Sequence, residues 1–392
     1  MKPKILHQLE IVVATTFLFA MGLTGILGAQ KLGEKAIGLS LASQVRFSQT
    51  PVPRSQLQAT LNQIVAAEKI PGALMYISTP GGTWSGAAGV SSLESKTDIH
   101  PEDRFAIASI SKTFAAVVIL QLVAEGKINL DRQIANYLPK DVGDRIANSD
   151  TITVRQLLNH TSGVAEYLNT EAFIQATAKR SRSQPWTASE AIKYIYDREA
   201  ANEPGEQHVY TDTNYILVEL IIEQTTGGTL AQAIRDRILN PLAMQSTYTE
   251  LREPGNGILV TGYGKRNDNK IESFADVNDG NGLGDGGLVS TGEDLAKFTK
   301  ALFVKKSLLS PPMMKEMLSY VESGNGNEYG LGVEQFDTPF GKALGHSGKA
   351  YGIGSLMLYL PSQDTTVVVM MNNQERDPER LAMKALEVTL NR

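Results

Sequence analysis

The sequence contains no cysteine in its 392 residues. Disulfides, thiolate nucleophiles and cysteine-ligated zinc or iron–sulfur centres are therefore excluded. This absence leaves the compartment undecided, because a chain long enough for a large core needs no disulfide in either redox environment. An excess of positive charge is also missing: 37 basic side chains stand against 42 acidic ones, a net of −5. There is thus no broad basic field for nucleic acid. Histidines number five and are widely scattered. There is no H-E-x-x-H, no P-loop and no G-x-S-x-G elbow. One G-x-G-x-x-G match exists, Gly282-Leu283-Gly284-Asp285-Gly286-Gly287. It follows the polar stretch Asp276-Val277-Asn278-Asp279 rather than a strand, so a dinucleotide site is rejected. No metal or cofactor is expected.

Apart from one segment, long uncharged apolar runs are scarce. Lys2 and Lys4 precede the uncharged stretch Ile11 to Ala29, about 19 residues long. A basic start followed by an apolar run is the pattern of an export signal. Its length is close to the roughly 20 residues that span a bilayer, so a cleaved signal peptide and a retained anchor both fit. Lipidation is excluded by the lack of cysteine. The expectation is an exported protein, periplasmic or extracellular, with membrane attachment open. Residues 30–55, small, polar and charged, read as a linker.

From residue 56 onward the pattern is mixed. Leu57 to Glu68 has helical periodicity, and two strand-like runs, Ala73 to Ser78 and Thr83 to Val90, flank Pro80-Gly81-Gly82 as a hairpin. Ser109 to Glu125 is apolar on nearly every face and stops at Gly126, which predicts a helix buried in mid-domain. Helices and polar loops follow, the best from Thr213 to Ile238 with a break at Gly227-Gly228. Ser290 and Glu293 suggest a capping box for a helix through Phe303. A second hairpin, Gly352 to Leu360 and Thr365 to Met371, precedes a closing helix from Pro378 to Leu390. Strands at both ends with helices between them predict an α+β domain. Its sheet part falls at about 56–135 and 280–392, and its helical insertion at about 136–279.

Ser109-Ile110-Ser111-Lys112 places a serine and a lysine at i and i+3, on one face of that buried helix. The serine sits at the helix start, where free backbone N–H groups can form an oxyanion hole. A serine attacks only when a neighbour removes its proton, and a lysine does so only when uncharged. From a reference pKa near 10.4 this needs a shift of about three units, which desolvation on a buried helix can supply. The bland alternative is that Ser109 is an N-cap and Lys112 a surface residue; an all-apolar helix makes a purposeless lysine costly.

With these residues in view the chain resembles the penicillin-recognising serine hydrolases related to class C β-lactamases and D-alanyl-D-alanine carboxypeptidases. The resemblance runs from about Leu57 to the C-terminus in ordered blocks. They are Arg104-Phe105 through Thr113 with Leu130-Asp131 and Tyr137-Leu138-Pro139; Leu157 through Gly163; Pro204-Gly205 with Tyr210 through Tyr215; Gly286 through Thr291; and Gly345-His346-Ser347-Gly348. It implies the β-lactamase/transpeptidase-like fold, an antiparallel sheet flanked by helices with an inserted all-helical subdomain. It also implies an acyl-enzyme on Ser109, proton transfer by Lys112 and Tyr210, and an oxyanion hole from the N–H groups of Ser109 and Lys349. Gly348 would let that strand approach the substrate. Two positions depart from the family pattern. Asp212 stands where an asparagine is common, and either faces the site or turns away to cap the next helix. His346 replaces a lysine, which favours carboxypeptidase or esterase over β-lactamase. If it faces the site, carboxylate binding should strengthen as pH falls through about 6.5. Lys349 should point away from the face His346 uses. His160 is expected to make a structural hydrogen bond, and His208 has no support as a ligand. The implied partner is a small-molecule or peptide substrate, which includes peptidoglycan. The competing class is a non-catalytic, membrane-anchored binder of β-lactams or peptidoglycan.

Overall fold

The computed structural model describes residues 50–390, apart from positions 256, 266–269, 279, 281, 325 and 351. The export or anchor stretch at 1–29 and most of the 30–55 linker lie outside the described residues. Among the described residues no helix is long and apolar enough to cross a membrane.

The centre is a nine-stranded antiparallel sheet built from both ends of the domain. Strand Gly72–Thr79 pairs on one side with Gly82–Ser92 and on the other with Thr365–Met371. The order continues through Ile353–Leu360, Gly341–Ala350, Glu334–Thr338 and Asn327–Tyr329 to the edge strand Val321–Gly324, and Thr97–Asp98 forms the other edge beside Gly82–Ser92. Every residue of Ile353–Leu360 and Thr365–Met371 is buried. Such continuous apolar strands are stable only with both faces of the sheet covered.

Alternation assigns the two faces. Ala73, Met75, Leu356, Leu358, Val367 and Val369 pack beneath the helices Arg54–Glu68 and Pro378–Leu390, which contribute Leu57, Leu61, Leu381 and Leu386. Leu74, Met357, Val368 and Met370 face the other way, into the larger core around the helix Ile110–Ala124. That helix buries nearly every residue, as an all-round apolar sequence requires. It ends in a Schellman motif: Gly126, at φ 73°, donates to the Val123 carbonyl and Lys127 to that of Leu122.

Both predicted hairpins and the closing helix are present. The predicted 213–238 helix divides into Thr213–Thr226 and Leu230–Ile234 at a left-handed Gly227. The segment after residue 290 differs by one position. Thr291, not Ser290, caps the helix Gly292–Thr299, accepting from the Asp294 N–H, because the Ser290 hydroxyl is bonded to Thr247 inside the core. The insertion is helical through about residue 239 and then adds short strands. One of them, Tyr248–Thr249, joins Leu288–Ser290 and Phe105–Ala106 in a small sheet that ends three residues before Ser109.

Leu358 is fully buried between sheet and helices. Leu358→Ala is expected to lower unfolding stability by about 2–5 kcal/mol, read as a lower urea midpoint at an unchanged slope.

Candidate active site

Ser109 follows a turn that the chain adopts under constraint. Ala108 has φ 48°, a left-handed conformation uncommon for a residue with a side chain. Three contacts hold it. The Ile107 N–H donates to the Leu288 carbonyl, the Ser355 hydroxyl donates to the Ile107 carbonyl, and strand Gly341–Ala350 passes directly behind. A Cβ at Gly348 would lie 2.3 Å from Ser355 Oγ and 2.5 Å from the Ile107 carbonyl oxygen. The glycine is therefore required by the turn that carries Ser109, a closer constraint than the substrate approach expected from sequence.

Ser109 occupies the N-cap position of its helix, yet its side chain makes no cap bond. Its Oγ instead accepts from Lys112 Nζ at 2.9 Å. The ammonium of Lys112 is completely buried and also donates to Asp212 Oδ1 at 2.6 Å and to the Asp285 carbonyl at 2.6 Å, using all three protons. Burial draws the Lys112 pKa down, but the charges of Asp212, Tyr210 and Asp285 outweigh it and hold the ammonium above the ordinary lysine range. The neutral lysine expected from desolvation alone is thus corrected: the helix supplies the desolvation, and Asp212 reverses its effect.

Asp212 faces the site. It precedes the helix Thr213–Thr226 without capping it, its carboxylate 24 % exposed. Glu166, which the sequence reading passed over, fixes that turn. It accepts from the Thr211 hydroxyl at 2.8 Å, the Asp212 N–H at 2.7 Å and the Leu168 N–H at 2.9 Å. Burial, with Asp212 nearby, pushes the Glu166 pKa up.

Tyr210 is 41 % exposed. Its hydroxyl interacts with Ser109 and Lys112, whose Nζ lies 5.1 Å from the ring centroid. Burial of the hydroxyl raises its pKa against the pull of Lys112. The ring stacks on His160, centroids 4.1 Å apart. His160 Nδ1 meets the Thr211 N–H at 3.3 Å and the Asn214 amide at 3.0 Å, so this ring is a platform for the Tyr210 turn. Burial keeps it neutral. Ring contacts connect His208 to His160 and Tyr329, and among the described residues no group of three or more His, Asp or Glu gathers to hold a metal ion.

His346 is not placed as a substrate contact. Its Nδ1 faces the Ser347 carbonyl at 2.5 Å and Glu334 at 3.1 Å, its Nε2 faces the Tyr329 hydroxyl at 2.8 Å, and burial lowers its pKa. With both nitrogens engaged internally, the expected pH-dependent grip on a carboxylate has no free donor. Lys349, expected to point elsewhere, is exposed and lines the cavity. Its place opposite Gly354, one residue after the Gly348–Ser355 pair that faces the Ser109 turn, puts its side chain on the other face of the strand, so it borders the cavity from the strand's end.

That cavity, about 260 Å³, is walled by Ser109, Asp212, Asp285, Gly286, Lys349 and Ala350, among others. Asp285 accepts from the Tyr167 hydroxyl at 2.7 Å, and burial, with Asp212 close by, pushes its pKa up to about 8. The glycine-rich loop around it is a tight turn: a Cβ at Gly287 would lie 2.5 Å from Gly282. Glu219 anchors the loop by accepting from the Gly284 N–H at 2.7 Å. Asp285 lies inside the glycine-rich match rejected as a dinucleotide site, whereas Glu166 and Glu334 carry no local signal.

The fold and the Ser–Lys–Tyr cluster together define a class, the serine hydrolases that recognise penicillins. The chain belongs to the Beta-lactamase family, whose family model matches residues 57–390. It is similar to the protein flp of Staphylococcus aureus, 27 % identical over 334 residues, covering 83 % of this chain and 64 % of that one. The chain therefore spans just under two thirds of that relative's length. Penicillin-binding protein 4* of Bacillus subtilis is 26 % identical over 318 residues, 76 % of this chain and 67 % of that one. Among solved structures, a D-stereospecific amidohydrolase from Streptomyces sp. superposes with a TM-score of 0.73 at 27 % identity, covering 86 % of this chain and 98 % of its own.

Two outcomes test this electrostatic arrangement. In Asp212→Asn the ammonium loses its strongest opposing charge, so Lys112 should titrate at lower pH than in the wild type. The measurement is ¹³Cε-lysine NMR, with the resonance assigned by its loss in Lys112→Arg. Second, burial pushes Glu219 up to about 8. Between about 4.5 and 8 the unfolded chain releases this proton while the folded chain keeps it, so Glu219 makes stability fall as pH rises through that window. Glu219→Gln should flatten the fall, read from urea midpoints across the window.

Proposed function

We propose that the protein is a hydrolase that works through an acyl-enzyme on Ser109, acting on D-alanyl peptides or on small amides and esters. The observation that carries this reading is the bond between Lys112 Nζ and Ser109 Oγ at the edge of an open cavity, with the Tyr210 hydroxyl beside both.

The proton route follows from the charged lysine. Substrate entry removes water from the Asp212 edge, and Lys112 passes one proton to the Asp212 carboxylate 2.6 Å away. The neutral amine then takes the Ser109 proton as Oγ bonds to the substrate carbonyl carbon. Tyr210 gives its hydroxyl proton to the departing nitrogen or oxygen and is reprotonated from Lys112, so the bond to the leaving group breaks without a free anion. Water then attacks the ester carbonyl by the reverse route, releasing the acid and restoring Ser109. The N–H groups of Ser109 and Lys349 are proposed as donors to the developing oxyanion.

Within this reading the closest activity is that of a D-alanyl-D-alanine carboxypeptidase. The similarity to a D-stereospecific amidohydrolase supports D-configured amides as the wider substrate class. A β-lactamase, or a binder acylated without turnover, would keep the same cluster. The binder is disfavoured because holding a ligand needs no proton shuttle, whereas Ser109, Lys112 and Tyr210 meet here. We also propose export, on the basic-then-apolar N-terminal stretch, with peptidoglycan fragments within reach as substrates.

The test is incubation with a fluorescent penicillin, a D-alanyl-D-alanine peptide and a p-nitrophenyl ester. Wild-type turnover should fall by roughly 10⁴-fold or more in Ser109→Ala and by about 10²–10⁴-fold in Tyr210→Phe. Stable labelling without turnover would favour the binder. No reaction by a folded wild type would overturn the proposal.

A further inference from the structure

A second cavity, about 170 Å³, opens beside the first and shares Ala106, Glu250 and Ala350 with it. Its walls differ in character. Leu259, Val260, Phe274, Val277 and Ile353 supply apolar surface, while the ion pair between Arg182 and Glu250 stands at the boundary with the first cavity. Leu259 is 36 % exposed, one of the large apolar side chains left open among the described residues.

The position is set by the same elements that set Ser109. Ala106 lies three residues before it in the short strand Phe105–Ala106, and Ala350 follows Lys349 at the end of the strand behind the turn. The small side chains at both places border both cavities. An apolar group extending from a carbonyl held at Ser109 past Ala106 and Ala350 would enter the second cavity, whose lining is mainly apolar, whereas Asp212 and Asp285 line only the first. An apolar cavity of about 150 Å³ is large enough to hold benzene, so this one has room for a benzyl or branched alkyl group.

We propose that the second cavity is a substrate subsite for an apolar side group flanking the scissile carbonyl, of aromatic or branched-aliphatic type. The inference rests on Ser109 acting as the acylated nucleophile. The Arg182–Glu250 pair closes its polar edge, so charged side groups are disfavoured by the cost of leaving an ion beside an occupied pair.

The test uses the full chain and two ester series. In the first the leaving group is constant, p-nitrophenyl phenylacetate against p-nitrophenyl acetate. In the second the acyl group is constant, benzyl acetate against methyl acetate, followed by acid release. Filling an apolar pocket is worth about 10-fold or more in kcat/KM. The wild type is therefore expected to prefer the aromatic ester by at least about 10-fold in one series, and that series identifies which side of the carbonyl the subsite serves. Ala275→Trp, which fills the chamber from an exposed position, and Leu259→Ser should each bring the preference to within about twofold of unity. Turnover of both esters with no aromatic preference in either series overturns the subsite while leaving the hydrolase reading intact. A preference that persists in both variants overturns it as well. No turnover of any ester, with Ser109→Ala indistinguishable from wild type, overturns the hydrolase reading and this inference with it.

Discussion

The structure depends on one buried ammonium. Lys112 sits where no water reaches it, and its three protons go to Ser109, Asp212 and the Asp285 carbonyl. An unpaired charge there would be intolerable, and a buried pair is stable only when every remaining donor is met. That requirement ties together three distant stretches of chain: the helix start at 109–112, the turn before the helix Thr213–Thr226, and the glycine-rich loop at 282–287. The nearby carboxyls are arranged around the same charge. Burial pushes the Asp285 and Glu219 carboxyls up, while Asp212 faces the ammonium directly.

Around that charge lies a shell whose task is orientation. Glu166 gathers the N–H groups of Leu168 and Asp212 together with the Thr211 hydroxyl, and His160 supports the Tyr210 ring from beneath. Tyr329 and Glu334 occupy His346 in the same way. These side chains position the groups around them, while Ser109, Asp212 and Asp285 line the cavity.

Much of this was legible in the sequence because it rested on local rules. The two hairpins, the all-apolar helix with its glycine stop and the closing helix are each encoded within their own residues. Ser109 and Lys112 are visible because they share a helix face. Other features depended on tertiary partners. Lys112's proton affinity is decided by a carboxylate 100 positions away, and no reading of the helix alone could have reversed the desolvation argument. Glu166 lies in an unremarkable stretch and gains its role from a turn 45 positions later. That Tyr329 and Glu334 would engage both nitrogens of His346 was not legible, because both partners lie on other strands and carry no local signal. Thr291 displaced Ser290 as the cap because Ser290 was already committed to Thr247.

The central pairing of the sheet has a temporal meaning. Gly72 is bonded to Asn372, 300 positions later in the chain, and Gly72–Thr79 finds its inner neighbour only in Thr365–Met371. The strand that props the Ser109 turn arrives nearly as late. During synthesis the candidate nucleophile therefore emerges long before the framework that bends Ala108 and presents its hydroxyl. Pairings between such distant segments are slow to form. The geometry of the Ser109 turn is thus coupled to the late strands, and a half-folded copy carries the serine without the contacts that bend Ala108.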